Sequence, residues 1–133
     1  MKVLDTSVVA KWYIYEDGSE AALQIEYGFA AREFDIVVPD IILYELANCI
    51  RFSSNKTDKD VIEVLENFDS LGIDVITPTQ SLLKSAAKLS FKYQTSIYDA
   101  AYLALAKAID GELITADKKF YEKVKVERGV RLL

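Results

Sequence analysis

Lys2-Val3-Leu4-Asp5-Thr6-Ser7-Val8-Val9 reads as a short strand, Lys2 to Asp5, that runs almost directly into a helix, Ser7 to Tyr13. The same change of pattern recurs along the chain. Ile36 to Val38 is β-branched and reads as a second strand, after which Pro39 is expected to open a helix to about Ser53. Ile73 to Ile76 is the third strand, followed by a helix from Thr77-Pro78-Thr79 to about Tyr93. Glu112 to Thr115 is the fourth, with Asp117 to Val124 helical behind it, and Val130 to Leu132 closes the chain as the fifth. Between these units the pattern predicts three further helices. Ser19 caps one that runs to about Arg32, and Thr57 with Asp60 forms a capping box for one that Gly72 stops. Ser96 caps the last, which runs to about Ile109 and is ended by Gly111. Alternation of this kind predicts an α/β fold: one domain over residues 1–133, with a central five-stranded, mainly parallel sheet flanked by helices.

At 133 residues and 51% hydrophobic content, the chain has enough apolar material to bury a core. Its longest apolar runs, such as Ala100 to Ala106, fall well short of the ~18 residues of a membrane span, and no secretory leader is recognisable. Cys49 is the only cysteine, so a reducing compartment, the cytoplasm, is the expected home. There is no histidine, which removes imidazole bases and nucleophile–histidine pairs and leaves carboxylates, hydroxyls, lysines or a bound hard cation. The formal charge is −5, a field that repels nucleic acid overall. Basic residues nevertheless outnumber acids six to three from Thr115 to Leu133, counting Lys118, Lys119, Lys123, Lys125, Arg128 and Arg131.

Four acids stand in unusual company. Asp5 ends the first strand and Asp117 follows the fourth, so in a parallel sheet both emerge at the carboxyl rim, where ligands bind in such folds. Either also serves as a helix cap. Glu45 lies in Ile41-Ile42-Leu43-Tyr44-Glu45-Leu46-Ala47-Asn48-Cys49-Ile50, on a helix apolar nearly all round and therefore expected to be buried. Asp99 is the only charged residue from Ile97 to Ala106, in a first turn where an acid also complements the helix dipole. Neither Glu45 nor Asp99 has a basic residue within four positions. Converging carboxylates repel unless a cation joins them, and an all-oxygen donor set suits Mg2+ or Mn2+.

The motifs around these acids carry a resemblance. Leu4-Asp5-Thr6-Ser7-Val8-Val9 with Lys11-Trp12, Pro39 to Asn48, Ser96-Ile97-Tyr98-Asp99-Ala100-Ala101-Tyr102 onward, and Leu113-Ile114-Thr115-Ala116-Asp117-Lys118-Lys119-Phe120 are similar, in order and spacing, to the four motifs of PIN-domain proteins. The resemblance is to VapC-type toxins in particular. That resemblance implies an endoribonuclease dependent on Mg2+ or Mn2+, with Asp5, Glu45, Asp99 and Asp117 as catalytic and metal-binding residues. It implies products with 5′-phosphate and 3′-hydroxyl ends, and hydroxyls of Thr115 and of Thr6 or Ser7 that position the acids. It further implies a type II toxin–antitoxin system, with an RNA substrate, a VapB-type antitoxin as partner, and a homodimer. The residues suggest where substrate and partner would lie. Lys118 and Lys119, or the ridge Lys84, Lys88 and Lys92, would meet phosphates; Tyr98 and Tyr102 would stack on bases or fill the core. The aromatic group Trp12, Tyr13, Tyr15, Tyr27 and Phe29 would form a partner face or pack inward. The alternative is a PIN-like module that binds RNA or protein without cutting.

Overall fold

Val3, Leu4, Ile36, Val37, Val38, Leu113 and Ile114 are almost wholly inaccessible to solvent, the mark of parallel strands covered on both faces. The computed structural model describes residues 1–133. In chain order its elements are β1 (Lys2–Leu4), α1 (Thr6–Val9), a 3-10 turn at Ala10–Trp12, α2 (Ser19–Ala30), β2 (Ile36–Pro39), α3 (Ile41–Arg51) and α4 (Asp58–Ser70). There follow β3 (Asp74–Ile76), α5 (Gln80–Tyr93), α6 (Ile97–Ala108), β4 (Glu112–Thr115), α7 (Lys118–Val124) and β5 (Val130–Leu132). The five strands form one sheet in the order β3-β2-β1-β4-β5, and every neighbouring pair is parallel.

That order sets the site. The chain builds outward from β1 through β2 to β3, then returns to lay β4 on the other flank of β1. The direction of winding therefore reverses between β1 and β4, whose register pairs Leu4 with Ile114. A crevice opens beyond the carboxyl ends of strands at such a reversal. Asp5 and Thr115 are the next residues there, with Asp5 N–H bonded to the Ile114 carbonyl at 3.3 Å.

α6 covers the sheet across β1, β2 and β4 and packs along α5. Its stretch Ala100–Ala106 is buried without a break, and its alanines let the helix sit close against strands and partner helix alike. The capping box at Thr57 and Asp60 is present, with the Thr57 N–H donating to Asp60 Oδ2 at 2.7 Å. Ser96 caps α6 by accepting from the Asp99 N–H at 3.0 Å.

Two helix starts differ from expectation. Pro39 is the last residue of β2, opposite Ile76, rather than the first of α3. β1 pairs with β2 only as far as Val37, so the N–H that proline lacks has no partner strand to meet. Gly18, with φ +88°, takes the cap position before α2, and Ser19 is buried in the first turn. The Ser19 hydroxyl accepts from Glu16 N–H at 2.9 Å and donates to the Ile14 carbonyl at 3.2 Å, folding the preceding loop back on the helix.

Candidate active site

Asp5 follows the last residue of β1 and caps α1, its Oδ1 accepting from the Ser7 N–H at 3.0 Å. The Ser7 hydroxyl donates to the same oxygen and the Thr115 hydroxyl to Oδ2, both in short contacts. Each hydroxyl is itself held by β4's exit: Ser7 Oγ accepts from Ala116 N–H at 2.8 Å, and Thr115 Oγ1 from Asp117 N–H at 3.0 Å. Three donors thus fix Asp5, only 8% exposed, across the β1–β4 reversal. Burial outweighs those donors and pushes its carboxyl up to about 6.

Glu45 is half-buried on α3, not enclosed as expected. The helix is not apolar on every side in the fold, because Leu43, Tyr44 and Asn48 face outward. Its Oε1 accepts from the Tyr102 hydroxyl at 2.6 Å and the Thr6 hydroxyl at 3.1 Å, and the two hydroxyls lie 2.9 Å apart. Tyr102 is 1% exposed, which assigns its ring to the core rather than to base stacking. Burial first, then the charge and hydrogen bond of Glu45, hold its phenol far above the ordinary range, so it remains a donor. Asp5's charge also reaches it, which ties the Glu45 group electrostatically to the Asp5 group.

Asp99, half-buried in the first turn of α6, takes one bond from the Thr95 hydroxyl at 3.3 Å. Burial raises its carboxyl, and the nearby charge of Asp117 raises it further; Thr95, Ser96 and Lys123 work against both. Asp117 is exposed and caps α7 through Oδ1, which accepts from Phe120 N–H at 3.0 Å. Capping is therefore a real part of what Asp5 and Asp117 do. The links among the four acids are partly hydrogen bonds and partly charge: Glu45 accepts from Tyr102, which the charge of Asp5 also reaches; Thr115 joins Asp5 to the Asp117 backbone N–H; and the charge of Asp117 reaches Asp99. None of the four has a basic partner among the salt bridges.

No group of three or more acidic side chains stands close enough together to hold an ion by itself. The donor chemistry still fits a hard divalent cation. Glu45 Oε2, Asp99 Oδ1 and Asp117 Oδ2 accept no hydrogen bond from the chain, while the other oxygen of each carboxylate is engaged. Mg2+ needs only one or two carboxylates, with waters and substrate phosphates filling its shell.

The PIN domain profile matches residues 2–126. The chain belongs to the PIN-domain family. It is 30% identical over 128 residues to "Ribonuclease VapC3" of Pyrobaculum aerophilum, covering 91% of this chain and 92% of that one. Its fold is similar to that of a toxin–antitoxin complex from Klebsiella pneumoniae, with a TM-score of 0.72, 18% identity, and coverage of 98% of this chain and 96% of the other. VapC20 of Mycobacterium tuberculosis, described as a sarcin–ricin-loop-cleaving toxin, gives a TM-score of 0.72 at 15% identity over 92% of this PIN domain and 94% of VapC20.

Around the site, Tyr98 is 60% exposed beside Asp99, and Lys118 and Lys119 are exposed beside Asp117. Of the lysine ridge on α5, Lys92 is drawn off to Glu127, whereas Lys84 and Lys88 make no ion pair. Trp12, Tyr13 and Phe29 pack against the core, and only Tyr15 and Tyr27 of that aromatic group face solvent. A separate apolar groove lies between α3 and α4, lined by Leu43, Tyr44, Ala47, Val61, Ile62 and Leu65. Lys123, which the sequence marks only as one of six basic residues near the C-terminus, donates to the Gln94 carbonyl at 2.8 Å, and its charge reaches Asp99. A lysine among the several of the C-terminal segment gives no local sign of that placement.

Proposed function

We propose that this PIN domain is a Mg2+- or Mn2+-dependent endoribonuclease and the toxin of a type II toxin–antitoxin pair. The observation that supports it most is the state of the four acids: Asp5, Glu45, Asp99 and Asp117 are each held by hydroxyl or N–H groups, and none of them forms a salt bridge. A fold gains little from such a group unless a ligand supplies the missing charge. A divalent ion bound there would supply an acidified water and positive charge against the phosphate oxygens.

One or two of Asp99, Asp117 and Glu45 would hold the ion directly through an unengaged oxygen and the rest through waters, with Asp5 fixed by Ser7 and Thr115. Lys118 and Lys119 would draw in the phosphate backbone, and Tyr98 would take a base on its exposed ring. Water rather than the ribose 2′-hydroxyl is the attacking group, so products carry 5′-phosphates. The chain contains no helix long and apolar enough to cross a membrane, and we assign the toxin to the cytoplasm. The relatives solved as toxin–antitoxin complexes support an antitoxin partner, and the open apolar groove between α3 and α4 suits a helix of that partner. Pairing with a second copy would use Tyr15 and Tyr27, the exposed members of the N-terminal aromatic group.

Purified protein, freed of any co-purifying inhibitor, is expected to cut structured RNA in Mn2+ or Mg2+ and to lose that activity in EDTA. Asp5→Asn is expected to abolish it as well. Binding of RNA without cutting under either metal would favour the non-catalytic module; cutting that survives both EDTA and Asp5→Asn would refute the site.

A further inference from the structure

Glu45, Tyr102 and Thr6 come from three elements, α3, α6 and α1, and meet at a single carboxylate oxygen. Three close contacts share two hydroxyl protons. The shortest, 2.6 Å, runs from Tyr102 to Glu45, so Tyr102 spends its proton there. The Thr6 proton is left to divide between the Tyr102 oxygen at 2.9 Å and Glu45 Oε1 at 3.1 Å. The result is a chain in which Thr6 polarises the phenol and the phenol grips the carboxylate, each bond strengthening the next. Glu45 makes no other hydrogen bond, and Oε2 is left without a donor.

We infer that Tyr102 is a positioning residue of the reaction: its phenol locks one oxygen of Glu45 and so presents the other to the metal site. A long, half-buried acid side chain otherwise samples several rotamers, and ordering it at the moment of binding weakens affinity for the ion. The tyrosine's own anchor is strong, because its ring is buried in the core beneath the strands. It lies three positions after Asp99 on α6, so one rigid helix carries a candidate ligand and the clamp for another. This inference rests on the metal-site reading above.

The test compares Tyr102→Phe, Thr6→Val and Tyr93→Phe with the unaltered protein. Tyr93 is the control: its hydroxyl also donates to a carboxylate, Glu127, but away from the crevice. Each variant is titrated with Mn2+ alone, followed by electron paramagnetic resonance, and assayed on RNA for kcat and KM separately. Tyr102→Phe is expected to weaken Mn2+ binding about tenfold and to lower kcat while KM for RNA stays put, with Thr6→Val weaker in the same direction. Tyr93→Phe is expected to change neither. Unaltered Mn2+ affinity and kcat in Tyr102→Phe would overturn the clamp, as would a loss that Tyr93→Phe reproduces. Asp5→Asn and Glu45→Gln proteins that still bind Mn2+ and cut RNA would bring down the metal-site reading itself, and the clamp with it.

Discussion

Asp5 works against the stability of the fold that holds it. With its folded pKa near 6, above that of a free aspartate, folding favours the protonated form, and the charged form at neutral pH is destabilising by up to about 3 kcal/mol. Asparagine keeps the shape and sheds the charge, and the Ser7 and Thr115 hydroxyls can rotate to suit it. In EDTA at pH 7, Asp5→Asn is therefore expected to melt several degrees higher than the wild type, while Mn2+ raises the melting temperature of the wild type alone. Scanning fluorimetry checks both; a less stable Asp5→Asn would mean that the hydrogen bonds, not the charge, dominate. Asp5, Glu45, Asp99 and Asp117 stood out in the sequence as candidates, Glu45 and Asp99 as acids among apolar neighbours and Asp5 and Asp117 as acids at strand exits, where both also cap helices. Their hydroxyl supports were not equally legible. Thr115 and Ser7 stood as candidates by nearness to an acid, but the role of Tyr102 was unreadable: it lies 57 positions from Glu45, and only the packing of α6 against α3 and α1 selects it.

Elements were legible where periodicity and capping agreed. β1, β4 and β5, the capping box of α4 and the Ser96 cap of α6 lie where the pattern puts them, because each depends on contacts within a few residues. The starts of α2 and α3 depend instead on where a neighbouring strand stops and how a loop folds back, which no local window contains. A tertiary tie of the same kind is Glu127, in the turn between α7 and β5. It gathers Lys107 of α6 with Lys92 and Tyr93 of α5, and the hydrogen bonds from Lys107 and Tyr93 pull its carboxyl down to about 2. A carboxyl whose folded pKa is depressed stabilises the protein fully above its unfolded value near 4.5 and loses that contribution as pH falls towards 2. Glu127→Gln is expected to destabilise by about 1–2 kcal/mol at pH 7. Urea midpoints of the two proteins, compared from pH 7 down to pH 2, should converge through that window. A difference that persists undiminished at pH 2 would assign the effect of Glu127 to packing.

For the molecule as a whole, charge poses the sharper question: a protein of formal charge −5 is proposed to hold a polyanion. Three of the six basic residues in its C-terminal segment are committed to internal bonds. Lys125 pairs with Glu122, Arg131 with Glu112, and Lys123 with the Gln94 carbonyl. Lys118 and Lys119 have no carboxylate partner, and they occupy the first turn of α7, where the helix dipole disfavours a cation. Local electrostatics thus gives no reason for two lysines beside Asp117, whereas a phosphate crossing the crevice does. The attraction must be short-ranged, since beyond the Debye length, ~8 Å at physiological salt, the net negative field and screening leave little of it. Replacing both with alanine is expected to raise KM for RNA about tenfold at low salt with kcat nearly unchanged. Two phosphate contacts on a single strand should also flatten the slope of log(kcat/KM) against log salt by roughly 1.4. The folded state itself should be no less stable, because the change removes a cation from a helix N-terminus. A salt slope identical to the wild type's would exclude these two lysines from contact with the phosphate backbone and shift the search to Lys84 and Lys88 on α5.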